Sequence, residues 1–219
     1  SAPVLLRHMQ AHTRMAWQRV GEIYILHLGP GPTLAGWQRI NPPLSGAYLP
    51  ESDHENLHFG TGMAAIGRID GSPGRTLVVG GPGDYRGHSS TDQATGTIFL
   101  LNMNTSNQVE STIQFTAIND GFPWGELTYG GRFGTSVAAL GDLDGDGIEE
   151  IAVGAPLDDR GGDRHGVVFI IFFNSDHSLK SYQTIDSSVG GVMEGLLADV
   201  DRFGTSLGGL GDTNNDGFN

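Results

Sequence analysis

Three aspartates at alternate positions, Asp142, Asp144 and Asp146, are followed by Gly147, Ile148 and Glu150. Counted from Asp142, the carboxylates stand at positions 1, 3, 5 and 9 of one short loop. Alternate spacing in a curled loop turns the first three inward, Gly147 permits the sharp turn, and the Ile148 carbonyl supplies a further oxygen. A hard cation such as calcium takes roughly six to eight oxygens at about 2.3–2.6 Å, which this set and water can furnish. The loop offers no nitrogen or sulfur donor, which disfavours zinc and copper. Calcium binding is the chemistry expected here, and the alternative is an acidic turn that holds no ion. Asp212, Asn214, Asp216, Gly217 and Phe218 repeat the same positions with Asn in place of one carboxylate, so a second metal loop is expected there.

Other groups suggest chemistry less well. His54-Glu55-Asn56-Leu57-His58 spells the His-Glu-x-x-His pattern of zinc peptidases, which works only where a helix puts both histidines on one face. His58 abuts Phe59-Gly60, the expected opening of a strand, and Arg132 and Arg202 fill the same slot before their own Phe-Gly pairs. Loop histidines are therefore expected, with no catalytic residues and no enzyme activity. Asp158, Asp159, Asp163 and His165 read as a solvated loop rather than acid and base groups. Asn104-Thr105-Ser106 is a glycosylation sequon in an expected hairpin turn, relevant to a secreted eukaryotic protein.

The elements that position the metal loop follow from internal repetition. Phe-Gly pairs begin at Phe59, Phe133 and Phe203, 74 and 70 residues apart. Glycines opening apolar runs stand in step at Gly21, Gly96 and Gly166, and Gly80-Gly81-Pro82 matches Gly154-Ala155-Pro156 at the 74-residue spacing. In the best-preserved unit, strands are expected over about 134–140, 149–154, 166–173 and 179–185, rich in Val, Ile and Phe between Gly, Asp and Asn. No window has sustained helical periodicity. The fold expected is all-β, a β-propeller of four-stranded antiparallel blades, with the metal loop between the first two strands of its blade. In the preceding blade the same offset puts Arg68 at position 1, Asp70 at 3, Ser72 at 5 and Thr76 at 9. A guanidinium where the first carboxylate belongs predicts a metal-free blade in which Arg68 neutralises Asp70.

Phe-Gly and Gly-Ala-Pro around an Asp-x-Asp-x-Asp-Gly loop resemble the FG-GAP repeat of integrin α-subunit N-terminal β-propellers. The resemblance implies a seven-bladed ring, calcium in some blades, an extracellular or cell-surface location and a role in adhesion. In that frame, residues 1–58 are the end of one blade (its strands 3 and 4) and an inter-blade loop. Residues 59–132 are a blade without a metal site, 133–202 a blade with a calcium loop, and 203–219 the start of a further calcium-type blade. Asn219 falls inside that blade's acidic loop, so the sequence is expected to be a window on a longer protein. Two other roles fit the resemblance: an accessory propeller of a larger surface enzyme, such as an anchor-cleaving phospholipase, or a structural unit of a surface filament or coat.

Composition narrows the partners. A formal net charge of −13 argues against nucleic acid and anionic membrane. The absence of cysteine excludes disulfides in these 219 residues, and no membrane-spanning run is visible. A protein or glycan ligand is expected instead, along with the rest of the same propeller or a neighbouring chain. Up-and-down strands put the metal loops and Asn104 on one face. The opposite face receives longer loops carrying Tyr48, Tyr85, Phe122, Trp124 and Tyr129, and the resemblance places ligand there. Packing of Phe122 and Trp124 between blades is the alternative.

Overall fold

The computed structural model describes residues 4–9, 20–30, 33–42, 56–84, 95–116 and 127–211, with the backbone alone for 4–9. The described residues form strands and turns without a helix, and none contains a helix long and apolar enough to cross a membrane. The first sheet pairs β1 (Val4–Met9), β2 (Glu22–Leu28) and β3 (Leu34–Ile40). The second runs β4 (Met63–Gly67), β5 (Arg75–Gly80), β6 (Thr97–Met103) and β7 (Val109–Thr116). The third runs β8 (Ser136–Gly141), β9 (Glu150–Ala155), β10 (Val167–Phe173) and β11 (Leu179–Ile185). All pairings are antiparallel between chain neighbours. The second and third sheets are the four-stranded blades of an all-β propeller, and the first shows three strands among the described residues. β1 adds a third strand to the two expected in residues 1–58.

Period-two alternation explains how the sheets stack. Leu77, Val79, Phe99 and Leu101 share a core with Ile23 and Ile25 of the first sheet. The alternate residues Val78, Ile98 and Leu100 share another with Phe133, Val153 and Phe169 of the third. With both faces of the second sheet covered, its middle strands are buried, and β6 is buried along its whole length. The last strand of each blade is half exposed, so β7 and β11 carry polar residues.

The three repeat markers are parts of one joint between consecutive units. Phe59, Phe133 and Phe203 donate their backbone N–H to Val20, Thr95 and His165 of the unit before, each at 2.8 Å. The glycine after each acceptor lies against the same phenylalanine, and Gly96, at φ +90°, packs so closely that a Cβ would sit 2.0 Å from the Phe133 carbonyl oxygen. Inside its own unit, the phenylalanine ring meets the third strand edge-on: Phe59 on Phe99 and Phe133 on Phe169, both at 5.3 Å between centroids.

Candidate metal centre

The loop between β8 and β9 folds around its own carboxylates. Asp142 Oδ1 accepts from the Gly145 and Asp146 backbone N–H groups at 2.7 and 3.2 Å, and its Oδ2 accepts from Gly147 at 2.8 Å. Asp146 Oδ1 accepts from Ile148 N–H at 2.8 Å. Gly145 and Gly147 both stand at positive φ, which lets the chain curl this tightly. Ile148 packs its side chain on the sheet core, anchoring the loop's descent into β9. Glu150, the first residue of β9, is fully buried. Its Oε2 accepts from Leu143 N–H, whereas its Oε1 is buried with no hydrogen-bond partner among the described residues.

Asp142, Asp144, Asp146 and Glu150 each bring one oxygen within 4.8 Å of the others. Burial, and behind it the charges of Asp144, Asp146 and Asp142, push the Glu150 carboxyl up from its ordinary pKa. A buried acceptor without a donor costs about 1–3 kcal/mol, and a cation beside Oε1 would remove that cost. An all-oxygen donor set with an orphaned buried oxygen suits a hard divalent ion. On the exposed side, Lys180 of β11 places Nζ 2.7 Å from Asp144 Oδ2 and 2.6 Å from Asp146 Oδ2. This ammonium holds the Asp146 carboxyl below the usual range. Across the joint, Glu149 Oε1 accepts from Gly67 N–H of the preceding blade at 3.1 Å, so the loop also touches its neighbour.

The corresponding loop of the second sheet is neutralised from within. Arg68 grips Asp70 with two bonds of 3.0 and 2.6 Å, and reaches Glu110 at 3.0 Å, with its own side chain only 7% exposed. Ser72 adds a backbone and a hydroxyl donor to Asp70, and the Asp70 carboxyl lies far below its ordinary pKa, chiefly through Arg68. Thr76, at the place of Glu150, is also fully buried, but its hydroxyl donates to Asn102 Oδ1 at 2.8 Å. Arg68→Met should therefore destabilise the protein by about 1–2 kcal/mol at neutral pH. A carboxylate with a lowered folded pKa contributes its stability above the ordinary value and loses it as pH falls through the folded one. Thermal melts of the two proteins should thus differ at neutral pH and converge in strong acid.

Residues 133–171, which hold this loop, match the family model "FG-GAP repeat". The chain carries an FG-GAP repeat. It is similar to integrin alpha-5 of Xenopus laevis, 39% identical over 92 residues, which is 40% of this chain and 8% of that protein. It is also similar to integrin alpha-4 of Xenopus laevis, 30% identical over 135 residues, 62% of this chain and 11% of that protein. The chain thus spans about a tenth of the length of these relatives.

Elsewhere in the chain, Asp212, Asn214, Asp216 and Phe218 lie outside the described residues, as do His54, Glu55, Tyr48, Tyr85, Phe122 and Trp124. His58 has φ +55° and Arg132 and Arg202 have +59° and +56°, so all three share one left-handed turn before Phe-Gly, where no helix can form. Tyr129 is 66% exposed. Asn104 caps the β6–β7 turn, its Oδ1 accepting from Ser106 and Gln108 N–H at 2.9 and 3.0 Å.

The loop after Ala155 is solvated as expected at Asp159 and Asp163, which are exposed, but not at Asp158 and His165. Asp158 is fully buried, accepts from Thr128 Oγ1 at 2.8 Å and pairs with Arg160. His165 is buried between Ser187 and Asp199, its ring nitrogens 2.6 and 3.1 Å from their oxygens. A Ser-His-Asp relay needs an open nucleophile, but Ser187 is buried with Gly161 pressed on its Oγ, so these groups pin two loops together. Gly204-Thr205-Ser206-Leu207-Gly208 also spells the Gly-x-Ser-x-Gly pattern of hydrolases, which requires a strand-to-helix elbow. Here the segment opens a repeat unit, and Thr205 bonds the Arg202 carbonyl as Thr135 bonds that of Arg132.

Proposed function

We propose that this chain is part of a seven-bladed, calcium-braced propeller that acts outside the cell or at its surface as a binding and adhesion module, not a catalyst. The observation that carries the metal reading is the fully buried Glu150, whose carboxylate gathers with three aspartates and whose Oε1 has no hydrogen-bond partner among the described residues. The ligands are the carboxylates of Asp142, Asp144, Asp146 and Glu150 and the carbonyl of Ile148. Asp212, Asn214, Asp216 and Phe218 form a second such site in the next unit. The likeness to integrin alpha subunits supports the adhesive role. A protein or glycan engages the face opposite the metal loops; Tyr129, one of the aromatic residues expected on that face, is exposed. Further blades come from the rest of the protein or from a neighbouring chain.

Calcium's role in this reading is structural: an ion that binds only the folded state stabilises it by about 2.7 kcal/mol at a hundredfold excess over Kd. That stabilisation corresponds to a melting shift of roughly 5–10 °C. Calcium should produce such a shift in the native sequence and much less in Asp144→Ala, by calorimetric titration and thermal melts. Equal shifts would remove the site. Immobilised full-length protein should also retain matrix proteins or glycans in calcium and release them in chelator. Failure to retain any would remove the binding role.

A further inference from the structure

The two complete units carry the same ion pair with its signs exchanged. In the blade without a metal-type loop, the cation is Arg68 in the loop and the anion is Glu110, the second residue of β7. In the other blade, the anions Asp144 and Asp146 are in the loop, and the cation is Lys180, the second residue of β11. Glu110 and Lys180 stand 70 residues apart, in step with the repeat. Lys180 is also the single lysine among 219 residues. This position on the last strand therefore supplies the counter-charge to whatever the loop carries.

We propose that Lys180 sets the metal affinity of the loop by competing with the ion for Asp144 and Asp146. The proposal rests on the reading of this loop as a calcium site. Nζ lies between two of the four carboxylates and makes no bond to Glu150 Oε1. The ammonium thus screens the exposed half of the cluster and leaves the buried half open to an ion. When calcium enters, Asp144 and Asp146 turn their oxygens to it, and two positive charges cannot share them at contact distance. The Lys180 side chain is 35% exposed, so its head can withdraw into solvent without burying charge. Such a device lets the acidic loop fold without metal and weakens its hold on metal.

Lys180→Met removes the charge and keeps most of the stem. In calorimetric titration of the full chain with calcium, Lys180→Met should bind about tenfold tighter or more, while Lys180→Arg stays within about threefold of the native value. In chelator, Lys180→Met should melt below the native protein, because Asp144 and Asp146 lose the counter-ion that Lys180 supplies. A second readout needs no variant: an amine-acylating reagent should modify Lys180 faster in calcium than in chelator, followed on the peptide that holds it. An unchanged Kd in Lys180→Met, or an acylation rate indifferent to calcium, overturns the proposal and leaves the metal site standing. Should Lys180→Met fail to fold, the acylation rates decide alone. If neither protein takes up calcium, the site reading fails and this proposal with it.

Discussion

Glu150→Gln should weaken calcium binding on the order of 100-fold and at the same time raise the melting temperature of the metal-free protein. The two effects share one cause. Without metal, Glu150 is a fully buried carboxyl with one oxygen unpartnered, set among three further carboxylates. Glutamine keeps the shape and still offers an oxygen to Leu143 N–H, the partner of Glu150 Oε2. It removes the charge that burial and the aspartates disfavour. The metal-free gain should be a few degrees, as ~1 kcal/mol moves the midpoint by about 2–4 °C in a chain of this size. With metal the sign reverses, because the buried oxygen becomes the ion's deepest anionic ligand. Melts in chelator and in excess calcium should therefore cross over: the variant higher in the first, lower in the second. A variant that melts lower in both would mean that Glu150 is a packing residue and no ligand.

How far this centre could be read from sequence depends on where its parts come from. Asp142, Asp144, Asp146 and Glu150 lie within nine consecutive residues, and the geometry of a short loop is set locally, so spacing alone brought them together. Lys180 joins from a strand more than thirty residues later, through the pairing of β8, β9, β10 and β11, and no local pattern announces it. A signal was nevertheless available in the repeat, because Glu110 occupies the same place opposite Arg68. The misreading of Asp158 and His165 has the same origin. Polar residues just after a turn usually face water, but here Thr128, Ser187 and Asp199 arrive from segments beyond the blade's own strands and enclose them. Repeat markers, by contrast, were legible as a pattern while their purpose was hidden. Phe-Gly, the mid-unit glycines and Gly-Ala-Pro recur together because they touch one another across the joint.

That joint makes Gly80→Val one of the most damaging single substitutions expected in the described residues. Gly80 ends β5, and a Cβ built on it would lie 1.8 Å from the Gly134 carbonyl oxygen of the next unit. Neither side can give way. Gly80 is held by its own blade, donating to Gly62 O and accepting from Gly60 N–H, both at 2.8 Å. Gly134 is held in its turn by a bond from its N–H to Gly154 O at 3.1 Å, and a Cβ on Gly154 would meet Gly204 in the same way, at 2.0 Å from its carbonyl oxygen. A side chain at Gly80 must therefore push two sheets apart and open the core shared by Val78, Leu100, Phe133 and Phe169. In repeat architectures, stability is the sum of unit terms and nearest-neighbour interfaces, so losing one interface leaves each sheet with an uncovered apolar face. The expected loss is about 3–5 kcal/mol, or roughly 6–20 °C in the melting midpoint, with lower soluble yield. Gly208→Ala is the matched control, since a Cβ there meets nothing within 4 Å and should change stability by less than about 0.5 kcal/mol. Thermal melts of the pair decide between a joint that tolerates no side chain and glycines that serve only as turns. In the second case Gly80, which lies in a strand with no positive φ, would accept valine as readily as its neighbours Val78 and Val79 do.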